Sequence, residues 1–86
     1  MANNRECFEN HTQQTMVLWL EPWGGGYELK PGSKLLLLYD LAKEPTTDTL
    51  DVDVASQGEE LWISVWVHAE NYPEVLVDDE PAECNR

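Results

Sequence analysis

The sequence predicts an all-β protein: a small antiparallel β-sandwich of six or seven short strands, with little or no helix. Two positive observations and one negative one lead there. Apolar residues recur with a period of two, most cleanly in Leu50-Asp51-Val52-Asp53-Val54, where apolar and acidic residues alternate strictly. Glycine- and proline-bearing turns recur between these runs. No window of about 11 residues carries a 3.6-residue apolar stripe free of Pro and Gly.

The elements follow in order. Arg5 to Asn10 is a short strand, and His11 to Gln14 joins it to a second, Thr15 to Glu21, rich in β-branched, aromatic and aliphatic residues. Pro22 ends that strand, because it has no N–H for the sheet ladder and disfavours helix at Glu21. Gly24 to Gly26 permit a reversal, and Tyr27 to Lys30 re-enter on alternating faces. Pro31-Gly32 turns the chain into Leu35 to Tyr39, an unbroken apolar run of strand length. Lys43 to Asp48 is a polar connection long enough to cross between sheets. After Leu50 to Val54, Ser56-Gln57-Gly58 makes a tight turn into Leu61 to Val67, and Glu74 to Val77 is the last strand. Strand signals at this spacing suit a Greek-key sandwich of the immunoglobulin or cupredoxin kind. Residues 1–77 form the one domain that 86 residues allow, and the acidic residues 78–86 read as a flexible tail.

The string Trp19-Leu20-Glu21-Pro22-Trp23-Gly24, followed by Tyr27-Glu28-Leu29-Lys30-Pro31-Gly32, resembles small uncharacterised bacterial β-sandwich domains sharing an EPWG…YxLxPG strand-turn-strand. That resemblance covers residues 19–32 and implies a fold without an assigned activity. The Lys30-Pro31-Gly32-Ser33 turn also resembles cupredoxin-like sandwiches. Their copper site clusters Cys, His and Met near the C-terminus, whereas Cys84 has neither His nor Met after it.

Charge narrows the partners. Net charge is −12, and residues 44–86 hold twelve acids with Arg86 as their only base. A polyanion is repelled by such a chain, so neither nucleic acid nor an anionic membrane is expected as a direct partner. A basic protein would be attracted and its encounter accelerated. The longest apolar run is far shorter than the roughly 20 residues that span a bilayer. No secretory signal is read at the N-terminus, so the expected location is the cytoplasm and Cys7 and Cys84 are expected as reduced thiols. Asn10-His11-Thr12 matches a glycosylation sequon, read here as a chance match.

Catalysis, metals and cofactors are not expected. The sequence holds His11, His68 and scattered serines without a nucleophile elbow, and Ser64 and His68 lie about 13 Å apart along their strand. Cys7, His11, His68 and Cys84 match no zinc spacing, and Asp78-Asp79-Glu80 lacks a calcium-loop pattern. Gly24-Gly25-Gly26 precedes neither a helix nor a Lys-Ser/Thr pair, so it is a turn rather than a phosphate loop.

The four tryptophans are the feature above background. Alternation puts Trp62 and Trp66 on one face of their strand with His68, opposite Leu61, Ile63, Val65 and Val67. Trp19 and Val17 oppose Met16, Leu18 and Leu20 in the same way. Trp23 at its turn apex either folds back as a lid, the expected choice, or projects as a binding residue. The sequence therefore predicts a non-catalytic binding or assembly module, self-associating as a homodimer through a face bearing Trp19, Trp62 and Trp66. The alternative is an acidic inhibitor or nucleic-acid mimic that occupies a basic protein groove with Asp48, Asp51, Asp53 and the pair Glu59-Glu60.

Overall fold

In the computed structural model, which describes residues 4–40, 50–69 and 71–86, the chain forms eight strands. These are β1 (Asn4–Glu9), β2 (Thr15–Glu21), β3 (Gly25–Leu29), β4 (Lys34–Tyr39), β5 (Leu50–Gln57), β6 (Glu60–Val67), β7 (Glu74–Val77) and the two-residue β8 (Glu80–Pro81). The described residues include no helix, and so none long and apolar enough to cross a membrane. A first sheet has the order β1-β4-β7-β8 and a second the order β3-β2-β6-β5. The two pack face to face as a small sandwich, as the alternation predicts. The Lys43 to Asp48 connection lies outside the described residues.

Pairing departs from the expected antiparallel pattern in one place: β2 and β6 run parallel, with Val17 opposite Trp62 and Trp19 opposite Ser64. A parallel neighbour requires a crossover. Here β4 provides it, because the chain leaves the second sheet after β3, builds β4 in the first, and returns as β5 and β6.

The core lies where the alternating faces meet. Met16, Leu18 and Leu20 of β2 and Ile63, Val65 and Val67 of β6 face Leu35, Leu37 and Tyr39 of β4 and Val75 of β7. Burying each leucine fully contributes about 1.5–3 kcal/mol, and Leu18, Leu20, Leu35 and Leu37 have no exposed surface. Strand β4, apolar on both faces in sequence, buries only its alternate positions Leu35, Leu37 and Tyr39; Leu36 and Leu38 stay half-buried beside β1 and β7.

Asn10 fastens one end of the sandwich. It is the buried polar residue of the core region, and both ends of its amide are used. Its Nδ2 donates to the carbonyls of Gln14 and Leu29, and its Oδ1 accepts from the Thr12 amide and hydroxyl. Its backbone bonds Ser33 and Gly32, so the β1–β2 connection is tied to the β3–β4 turn. The sequon at Asn10 is closed to a glycan, since its amide nitrogen is committed inside the protein. In the β3–β4 turn itself, Gly32 has φ +85° and Ser33 donates to the Lys30 carbonyl. Pro31 followed by such a glycine is the sequence a type II turn requires.

Residues 78–86, read from their charge as a tail, run along the sandwich. Asp78 accepts from the Ser33 hydroxyl and the Lys34 amide, and Ala82 packs on the core while its amide donates to Val75. The Lys34 amide and the Ser33 hydroxyl hold the Asp78 carboxyl below its ordinary value of 3.8. Asn85 and Arg86 donate their amides to the Gly26 carbonyl. The run of charge concealed this path, because several of the anchoring groups are main-chain amides and one is an alanine.

Candidate functional site

The outer face of the second sheet gathers most of the residues singled out by sequence. Strand register fixes the arrangement. Along β6, Glu60, Trp62, Ser64 and Trp66 point outward. Opposite them on β2 stand Thr15, Val17, Trp19 and Glu21, and on β5 stand Gln57, Ala55, Asp53 and Asp51. Strand β3 adds Glu28 opposite Val17 and Gly26 opposite Trp19.

This face has two halves. At one end Trp19 and Trp62 pack on each other, ring centroids 5.3 Å apart and tilted by 58°. Both rings are half-buried, and Val17 beside them is fully buried. The Trp62 indole donates to one oxygen of Glu60 at 3.2 Å. The other Glu60 oxygen accepts from the Arg86 guanidinium, which also donates to Glu28 at 3.3 Å. The Trp62 indole first, and Arg86 next, hold the Glu60 carboxyl below its ordinary value of 4.5. Gly26 makes room for this arrangement. A Cβ there would lie 2.7 Å from the Arg86 Cβ and 2.8 Å from the Trp19 ring.

At the other end Trp66 is 44% exposed, the most open of the tryptophans. In register it has Glu21 on one side and Asp51 on the other. His68 Nε2 lies 3.7 Å from the Asp51 carboxylate. Asp51 and Asp53 are both exposed, as the alternation predicts. Asp48, the third residue of that acidic series, lies outside the described residues.

Trp23 is placed apart from this face. It is 38% exposed and rests edge-on against Tyr72, ring centroids 5.2 Å apart, rather than joining the core cluster as the expected lid would. Its turn is closed by the Gly24 amide, which donates to the Leu20 carbonyl at 2.7 Å. Tyr72 in turn shares a 2.7 Å hydrogen bond with the buried Tyr27 hydroxyl. Burial, reinforced by that bond, raises the Tyr27 phenol above its ordinary range. A groove of about 500 Å³ runs beside this pair, between Tyr27, Tyr72, Val75 and Cys84.

Cys7 and Cys84 are free and exposed. Among the described residues no group of three or more His, Cys, Asp or Glu side chains is placed to hold a metal ion. Ser64 stands opposite Trp19 and Asp53, and His68 is engaged with Asp51, so the two are not brought together as a dyad.

Sequence reasoning gave the tryptophan face and the β5 acids separately; it did not place them side by side. It named Glu60 only among the acids of the alternative reading, apart from the tryptophans, and it missed Glu28 and Arg86 as members of that face. Glu60 was open to discovery, since it precedes Trp62 by two residues and shares its side of the strand. Arg86 carried no signal, because its position depends on the path of residues 82–86. No protein-family model, curated protein or solved structure matches the chain.

Proposed function

We propose that the protein is a non-catalytic binding module that receives basic side chains of a partner protein on the outer face of its second sheet. The observation that carries this reading is the setting of Trp66: an exposed indole with a carboxylate in register on either side, Glu21 and Asp51. A guanidinium or ammonium group over an aromatic face gains about 0.5–1 kcal/mol at exposed sites. Adjacent carboxylates add charge-assisted hydrogen bonds. Arg86 supports the reading from within the chain, since its guanidinium already sits between Glu28 and Glu60 beside the Trp19–Trp62 pair. The net charge of −12 draws such a partner in from a distance.

Self-association through the same face is the second reading, favoured by the exposure of Trp66. Two copies docked this way would set Glu21, Glu28, Asp51 and Asp53 against like charges. Arg86 on that face is already engaged by Glu28 and Glu60, and His68 lies beside Asp51. A basic partner meets no such repulsion.

The test is a titration with a flexible peptide of Arg-Gly-Ser repeats, followed through amide and indole resonances. Shifts at Trp66, Glu21 and Asp51 that fade with added salt are expected. Shifts confined to the first sheet, or none, would reject the reading.

A further inference from the structure

Strand β5 forms one edge of the second sheet and pairs only with β6 among the described residues. It is eight residues long, and every residue from Asp51 to Gln57 is exposed. Its sequence contains no Pro or Lys, which commonly blunt a free edge, and its charged residues are the two acids Asp51 and Asp53. The opposite edge is treated differently. On β3 the Gly26 carbonyl accepts from Asn85 and Arg86, and the Glu28 amide donates to the Asn85 side chain. That edge is capped by the chain's own C-terminal residues. No hydrogen bond beyond those to β6 engages the backbone of residues 51–57 among the described residues.

The side chains of β5 add a second anomaly. Val52 and Val54 stand opposite Val65 and Ile63, on the inner side of the sheet, yet they are 45% and 66% exposed. Val65 is fully buried and Ile63 nearly so. The inner face of the second sheet therefore overhangs at β5, leaving two aliphatic side chains uncovered. The other side of the same strand carries Asp51 and Asp53.

We infer that β5 is a strand-addition site for an extended basic segment of a partner protein. An added strand would satisfy the outward backbone groups of β5. Its inward residues, aliphatic, would cover Val52 and Val54; its outward residues, Lys or Arg, would lie beside Asp51 and Asp53, with β5 between them and Trp66. Charge selects the occupant. A second copy of β5 brings two more carboxylates and no base, so the complementary strand belongs to a basic partner. This inference rests on the basic-partner reading and adds the backbone conformation in which the partner binds.

The probe is a peptide of about ten residues alternating Lys and Val, long enough to match the strand. It is compared with the same peptide N-methylated throughout, which keeps its side chains and loses its backbone donors. Binding of the plain peptide with slowed amide exchange along Val52–Ala55, and weakening by roughly tenfold or more on N-methylation, is the expected result. The variant Val54→Lys should weaken the plain peptide while leaving binding of the Arg-Gly-Ser peptide in place. Equal binding of the plain and methylated peptides would overturn strand addition and leave the outer-face reading standing. No binding of the Lys-Val peptide, with the Arg-Gly-Ser peptide still bound, would overturn it equally. Failure of both peptides would overturn both readings.

Discussion

Arg86 and Trp62 meet on one carboxylate: Glu60 accepts the Trp62 indole on one oxygen and the Arg86 guanidinium on the other. A residue near the end of a charged segment is thereby fixed to the start of β6, an inner strand of the second sheet. Glu60 is favoured in its ionised form by both donors, so its pKa is lowered and the sign of the pH dependence follows. The Glu60 contribution to holding Arg86 is fully present above the ordinary glutamate value of 4.5 and is lost as pH falls through the lowered folded-state value, while the main-chain bonds of residues 82–86 remain. Arg86→Ala should produce the same loosening of the last residues at neutral pH. The measurement is hydrogen exchange at Asn85 and Glu28 together with Trp62 emission, which should accelerate and shift to the red.

Gly26→Ala tests how closely the layers over β3 are fitted. The new methyl would meet the Arg86 Cβ and two atoms of the Trp19 ring, all inside 3.0 Å. Such overpacking costs about 1–3 kcal/mol, and a urea titration should show it. The Trp19–Trp62 contact should be disturbed in the same variant, visible in near-UV circular dichroism.

Two aliphatic residues of similar type should respond in opposite ways. Leu37→Ala empties a fully buried site at the centre of β4 and should cost about 3 kcal/mol. Val54→Ala, on the overhanging edge, should stay within about 0.5 kcal/mol of the parent. Thermal denaturation of both variants decides it. A large loss at Val54 would mean that β5 is covered in the free protein.

Asn10→Asp replaces two donated hydrogen bonds by a carboxylate facing the Gln14 and Leu29 carbonyls. The expected loss is about 2–4 kcal/mol at neutral pH, measured by chemical denaturation. Lowering the pH should recover part of it, because a protonated carboxyl regains one donor.

Particular residues show what the sequence made legible and why the remainder was hidden. Met16, Leu18 and Leu20 against Val17 and Trp19 announced both faces of β2, since a half-buried strand writes its environment into every second residue. The same rule placed Trp62 and Trp66 together on the outside. Parallel pairing of β2 with β6 was hidden, because it is made by strands far apart in sequence that no single turn joins. Alternation also could not distinguish a central strand from an edge. Val52 and Val54 look like core residues in the string and face inward in the fold, yet they remain exposed on the edge strand. Trp23 stayed ambiguous for a related reason: its partner, Tyr72, comes from the region before β7.

The central claim is that Trp66, between Glu21 and Asp51, receives basic side chains. It is tested most directly by calorimetric titration of the Arg-Gly-Ser peptide into the parent, Trp66→Ala and Asp51→Asn proteins at low and moderate salt. Trp66→Ala should weaken binding about three- to fivefold at both salt concentrations, consistent with the loss of an exposed cation–π contact. Asp51→Asn should weaken it chiefly at low salt, where screening is least. Equal affinity of all three proteins at both salt concentrations would contradict the account.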